Sequence, residues 1–295
     1  MLKSPLAHTL LKGHSGAVLT IGSAGGQSFV RKQVAHAGLN QRLQAQALKQ
    51  QLAWDTQLPC PRILGTGEEE GCFYFDMEYL PSISVAQMLM DSVPFDRQAF
   101  LDFVERTLHF HAAERQPYIP AAHFTDKVQQ VYSRCKPNVQ LADLLPAIER
   151  VADTLLSYDW ATIPQSGCHG DFTLENILYN KDRGFFLIDF DQVELSSYYL
   201  DAAKLFQDLW GHWCLRDLAV SGAGQLNLLN AMLHVDALRG MTLKRLLARS
   251  PEMQPHLLPM VLLHLFRVLP YCREQGIAVF VLMRINQMLS EAGMH

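Results

Sequence analysis

Three residues in the middle of the chain carry side chains suited to gripping a hard cation and accepting a proton. Asp171 is followed five positions later by Asn176, and thirteen positions after that by Asp189. A carboxylate and a carboxamide both offer the oxygen ligands that hard cations select. A second carboxylate nearby can take a proton from an attacking group. The residues between them supply a way to bring them together. Ile177-Leu178-Tyr179 and Phe185-Phe186-Leu187-Ile188 are short apolar runs on either side of Asn180-Lys181-Asp182-Arg183-Gly184. That pattern predicts a β-hairpin with a five-residue connection. Antiparallel strands then set Asn176, at one strand's start, beside Asp189, at the other strand's end, where both can hold one cation. Asp171 sits in the loop just upstream.

The elements around this hairpin change character along the chain. Residues 10 to 32 read as two strands around a turn at Ala24-Gly25-Gly26-Gln27. Within this stretch, ahead of Val18, Gly13 and Gly16 would let backbone N–H groups approach a phosphate closely, and Ser15 could add a hydroxyl. No Gly-x-x-x-x-Gly-Lys-Ser/Thr loop and no Gly-x-Gly-x-x-Gly opening a helix is present, which removes the ordinary P-loop and Rossmann readings. Asn40 to Trp54 reads as a helix with Asn40 as its N-cap. Residues 62–67 and 72–80 read as two strands around Glu68-Glu69-Glu70. Pro81-Ser82 marks the linker, dividing residues 1–80 from residues 81–295. Beyond it the chain is mostly helical, over 95–114, 141–157 and 200–213. Four C-terminal segments follow, at 226–238, 242–248, 257–269 and 277–291. His109 and His111 lie two apart, which a helix points in different directions, so they read as core or loop-facing residues and not as a metal pair.

Composition sets the class. The 295 residues are 49% hydrophobic and 18% charged, enough apolar surface for a substantial core. No run approaches the ~18 apolar residues that span a bilayer. The N-terminal stretch does not read as a signal peptide, and the six scattered cysteines read as reduced thiols of a cytoplasmic protein. The first 54 residues hold six basic side chains and no acidic one, whereas the rest hold 19 basic against 29 acidic. A basic lobe facing an acidic one suits a polyanion held between them with a cation on the acidic side. The overall acidity does not suit nucleic-acid binding.

His169-Gly170-Asp171-Phe172-Thr173-Leu174-Glu175-Asn176, together with Ile188-Asp189-Phe190-Asp191, resembles the catalytic core of the aminoglycoside phosphotransferase and choline kinase family. Met77-Glu78-Tyr79-Leu80-Pro81 is similar to that family's hinge. The resemblance implies an α+β, two-lobed, protein-kinase-like fold. A small N-terminal lobe of antiparallel sheet and one helix would precede a larger, mainly helical C-terminal lobe. It further implies a Mg²⁺- and ATP-dependent transfer of the γ-phosphate to a hydroxyl of a small molecule such as a sugar, polyol, amino alcohol or aminoglycoside. On this resemblance Asp171 is the catalytic base and Asn176 and Asp189 are the metal ligands. Lys32 contacts the α/β-phosphates, while Gly13, Ser15 and Gly16 cover the phosphates. Backbone groups around Glu78 and Leu80 pair with the adenine edge. His169 and Asp201 support the catalytic loop, Asp201 also as a helix N-cap. Asp191 stays open between a helper behind the metal ligands, a substrate contact and a solvated loop acid.

Two departures from the family pattern stand out. The fold usually pairs its lysine with a Glu on the following helix, yet residues 40–54 contain no acid, and the matching position falls near Leu48. Gln44, Gln46, Gln51, Asp189 or the nucleotide alone are the partners open to Lys32, and a catalytically weak or inactive nucleotide-binding scaffold is the alternative reading. Thr173 stands where protein kinases carry Lys, and eleven residues separate Asp189 from Asp201, too few for a long activation segment. The expected acceptor is therefore a small molecule, with no membrane partner. The acidic lower lobe favours a cationic one.

Overall fold

The computed structural model describes residues 9–11, 17–113, 116–221 and 224–293. They form two compact units, Met1–Ile83 with Asn176–Val193, and Ser84–Glu175 with Glu194–His295.

The first unit is built on a five-stranded sheet in the order β1-β2-β3-β5-β4. Its strands are β1 (Thr9–Leu11), β2 (Ala17–Ala24), β3 (Gln27–Val34), β4 (Ile63–Glu69) and β5 (Cys72–Glu78). The sequence reading had two strands where β1, β2 and β3 stand. All of the sheet's pairings are antiparallel. Helix α1 (Asn40–Asp55) packs on one face. Alternation along the strands buries Val34, Phe73 and Phe75 against Leu43 and Ala47 of the helix. Asn40 is the helix's first residue and not its N-cap, which is Leu39. The Asn40 side chain works at longer range, donating to Gly71 O and accepting from Phe73 N–H at 2.9 and 2.8 Å. Those bonds pin the helix start to the β4–β5 turn.

β6 (Ile83–Ser84), β7 (Gln116–Tyr118) and β8 (Pro164–Gln165) are short, and the predicted hairpin is β9 (Ile177–Asn180) with β10 (Gly184–Leu187). Its connection is three residues, 181–183, because Asn180 and Gly184 pair as the last rung. Asn180 Oδ1 accepts from the N–H groups of Asp182 and Arg183, and Gly184 takes φ +74°, so the tight turn is closed by a side chain and a glycine. Within the first unit, Asn180 Nδ2 donates to Pro81 O and Leu187 N–H to Pro59 O.

The second unit is helical. It contains α2 (Val85–Met90), α3 (Arg97–Ala112), α4 (Ala121–Cys135), α5 (Leu145–Leu156), α6 (Tyr198–Leu209), α7 (Arg216–Ser221), α8 (Gln225–Arg249), α9 (Gln254–Phe266) and α10 (Gln275–Glu291). α9 is buried on nearly every side, which is why its apolar sequence shows little periodicity. The segments predicted at 226–238 and 242–248 are one helix, α8, which runs through Gly240 in open space. α6 starts at Tyr198 behind a Ser197 N-cap, so Asp201 lies inside the helix and caps nothing. No helix among the described residues is long and apolar enough to cross a membrane.

Candidate active site

In the first unit, β3 turns Val30, Lys32 and Val34 toward α1, and Lys32 ends up only 5% exposed. Its ammonium meets two acceptors, Asp189 Oδ1 at 2.5 Å and Gln46 Oε1 at 3.0 Å. Arg31, one residue earlier, points the other way, paired with Asp76 at 2.8 Å and stacked over Tyr74. Gln46, and not the position near Leu48, therefore faces Lys32, while Leu48 is 73% exposed. The same amide donates from Nε2 to Asp191 Oδ1 at 3.1 Å. An ammonium only donates and a carboxylate only accepts, so an amide is the side chain that bridges the two.

Asp191 is held further by Arg42, 3.2 Å from both carboxylate oxygens, and by Lys49, which donates to the Asp191 carbonyl. Asp191 thus fastens the segment after β10 to α1. Ile188 N–H bonds to Asn176 O at 3.1 Å, which sets Asn176 beside the residue preceding Asp189. Asp189 itself has φ +61°, an uncommon conformation that Asp tolerates better than most residues. Strain of this kind, roughly 1–3 kcal/mol, persists where surrounding contacts over-determine it, and here the Lys32 pair supplies one such contact. Glu78 ends β5, with its N–H on Arg62 O and its carboxylate 2.7 Å from Arg183. The Leu80 carbonyl accepts from Ser82 Oγ. Gly13, Ser15 and Gly16 lie outside the described residues.

In the second unit, the loop bearing Asp171 is hung from α6. The two Asp201 oxygens accept from the N–H groups of His169, at 2.5 Å, and Gly170, at 2.9 Å. Gly170 adopts φ +97°, which only glycine takes without strain. His169 Nδ1 accepts from Asp171 N–H at 3.3 Å, and Thr173 N–H closes a turn onto Asp171 O. One helical turn beyond Asp201, Lys204 places its ammonium 3.0 Å from Asp171 Oδ1. A further turn on, Asp208 Oδ2 accepts from Leu174 N–H at 2.7 Å. Three residues of α6 spaced by three and four positions therefore face one loop. Glu175 is held by Arg216 at 2.9 Å. Lys204, Asp208 and Arg216 carry no role in the sequence reading, which does hold Gln46 among the partners open to Lys32; the helical spacing of 201, 204 and 208 is the available signal for two of them.

Burial pushes the Asp208 carboxyl up to about 7, and the neighbouring Glu175 adds to the rise. Its Oδ1 has no hydrogen-bond partner among the described residues. The folded protein thus keeps a proton that the unfolded chain releases near 3.8. Stability falls as pH climbs between those values, by up to roughly 4 kcal/mol, and the full loss is present above the folded value. Asp208→Asn stays neutral and still accepts from Leu174. Urea midpoints at pH 5 and pH 8 are expected to fall further in the wild type than in this variant. Parallel pH profiles would refute the buried acid.

Among the described residues no cluster of three His, Cys, Asp or Glu side chains forms a ready-made metal site. Two oxygen donors at neighbouring strand ends suit an ion that takes its remaining ligands from water and phosphate, as Mg²⁺ does.

Comparison with known structures places the fold. A thermostable variant of aminoglycoside phosphotransferase APH(4)-Ia, in ternary complex with AMP-PNP and hygromycin B, is similar with a TM-score of 0.66 at 15% identity, over 97% of this chain and 94% of that one. Choline kinase LicA from Streptococcus pneumoniae is similar with a TM-score of 0.55 at 12% identity, over 97% and 94%. A glucosamine kinase gives 0.54 at 14%, over 97% and 93%. At these identities the likeness shows the protein-kinase-like fold alone. No curated protein matches the chain in sequence. The model of the phosphotransferase enzyme family matches residues 8–238, a span that contains both the Lys32–Asp189 pair and the Asp171 loop with its supporting helix. The chain belongs to the phosphotransferase enzyme family.

Proposed function

We propose that this protein is a kinase that uses ATP and Mg²⁺ to phosphorylate a hydroxyl group of a small molecule. The observation that carries the reading is the suspension of the Asp171 loop from Asp201, with Lys204 paired to Asp171 itself. A loop fixed by its own backbone donors holds a base in one place, which is what an in-line transfer needs from the protein. The acceptor oxygen bonds to the γ-phosphorus as the bond from that phosphorus to ADP breaks. The hydroxyl proton passes to Asp171 and then to solvent. Lys32 neutralises phosphate charge, and Asn176 and Asp189 would hold the metal. Mg²⁺, when bound, supplies charge for the phosphate oxygens. The AMP-PNP and hygromycin B bound to a relative of this fold support a nucleotide and a small acceptor.

A scaffold that binds nucleotide without turnover is the second reading, favoured by the neutral Gln46 on Lys32. Assaying ADP release across a panel of hydroxylated metabolites separates the two. Turnover that needs Mg²⁺ and disappears in Asp171→Ala and Asp189→Ala is expected. Nucleotide binding with no turnover across the panel would favour the scaffold.

A further inference from the structure

A cavity of about 230 Å³ in the second unit bears on the acceptor. Lys127 and Arg134 of α4, Lys204 of α6, His264 of α9, and Arg267 and Tyr271 just beyond α9 contribute to its wall. Lys127 and Arg134 are seven residues apart, which puts both on one face of α4. Lys204 connects this cavity to the chemistry, because the side chain that lines it also pairs with Asp171. Among the described residues no Asp or Glu lines the cavity. Tyr271 accepts from Arg134 at 2.9 Å, which steadies that guanidinium at the wall.

Four cationic side chains, three of them half-buried and Arg134 exposed, surround one hollow and repel one another. Burial holds the Lys127 ammonium below its usual range, and Arg267 and Arg134 push it the same way. His264 is driven well below its usual value, by burial first and then by Lys204 and Arg267, so it adds a polar edge without another charge. An anion relieves both penalties and collects several charge-assisted hydrogen bonds. A cation does neither.

We propose that this cavity receives an anionic group of the acceptor, a phosphate or a carboxylate, while the acceptor's hydroxyl reaches Asp171. The substrate class is then a hydroxylated metabolite with a negative group, such as a sugar phosphate or a sugar acid. This rests on the kinase reading above, with the same bond made and the same bond broken. It reverses the cationic acceptor that overall charge suggests, because the four cations are local and the excess acid lies elsewhere.

The test uses acceptors matched except for charge: glucose, glucosamine, glucose 6-phosphate, glucose 1-phosphate and glucuronate. ADP release and calorimetric binding are measured for the wild type, Arg134→Gln and Arg267→Gln. Arg150→Gln, on the exposed side of α5, serves as a charge-loss control. An anionic compound is expected to be preferred over its uncharged counterpart by at least about 10-fold. Each cavity variant is expected to raise its KM by about 10- to 100-fold, with kcat changed far less. Arg150→Gln is expected to behave as wild type, and ADP with Mg²⁺ is expected not to displace the anion. Preference for glucose or glucosamine, an equal loss in Arg150→Gln, or competition with ADP would each overturn the anion site. Turnover restricted to glucose or glucosamine would do so while leaving the kinase reading standing. Anion binding that the cavity variants lose, without turnover of any compound, would uphold the site and count against the kinase reading. Neither turnover nor anion-selective binding would overturn both.

Discussion

In the Asp171→Asn variant, turnover of the acceptor is expected to fall by about two to four orders of magnitude, with the fold and nucleotide affinity retained. Asn preserves shape and can accept a hydrogen bond, so the acceptor hydroxyl is still oriented. What Asn cannot do is take the proton as the new phosphorus–oxygen bond forms. The effect should therefore fall on kcat with little change in the KM for nucleotide. Lys204 loses its carboxylate, but both side chains are partly open to water, at 21% and 35% exposure, so the unpaired ammonium is solvated without collapse of the loop. Steady-state kinetics and a thermal melt on the same preparation separate the two effects. A kcat within threefold of the wild type would remove Asp171 from the role of base.

Asp201→Ala is expected to act on the same loop by a different route, through stability. The side chain is fully buried and accepts from two backbone N–H groups that have turned inward to meet it. Removing it strands both donors. At about 1–3 kcal/mol for each unsatisfied buried group, the loss is roughly 2–6 kcal/mol, a large part of the margin on which a domain folds. A fall in Tm of about 5–15 °C follows for a chain of this size. Activity should fall as well, because His169 and Gly170 immediately precede the base. Asp201→Asn keeps one acceptor and is expected to fall between the two. A Tm change under about 1 °C for Asp201→Ala would mean that water or another group takes over both donors.

The parts of this architecture that local pattern controls could be read from the sequence. The hairpin at 177–187, the helix after β3, the strand-rich start and most of the helical remainder follow from periodicity and turn residues, whereas α2, α4 and α7 match no helix read from the sequence. So does the opposite facing of Lys32 and Arg31, since neighbouring strand residues point to opposite faces. What escaped was set by contacts between distant elements. Asn40 has the right residue type and place for a cap, but its amide serves the β4–β5 turn some thirty residues on. Asp201 was assigned as a cap for the same reason of type and place, while Ser197 holds that position. Lys204 and Arg267 carry no local signal of the cavity they share, because α6 and α9 meet only in the folded unit. Gln46 was one of five candidate partners for Lys32, and only the packing of α1 on the sheet selects it.

The Gln46 bridge also bears on how the site can be controlled. An acid on α1 would have made the helix a detachable handle: swing it away, and the lysine loses its partner. Here Arg42, Gln46 and Lys49 each grip Asp191, and Gln46 touches Lys32 as well. The helix, the lysine strand and the segment after the hairpin are thereby fastened at several points into one piece. A helix tied down in this way cannot serve as a hinged switch. Assembly on that side of the first unit therefore rests on the amide of Gln46 and not on an acid of α1.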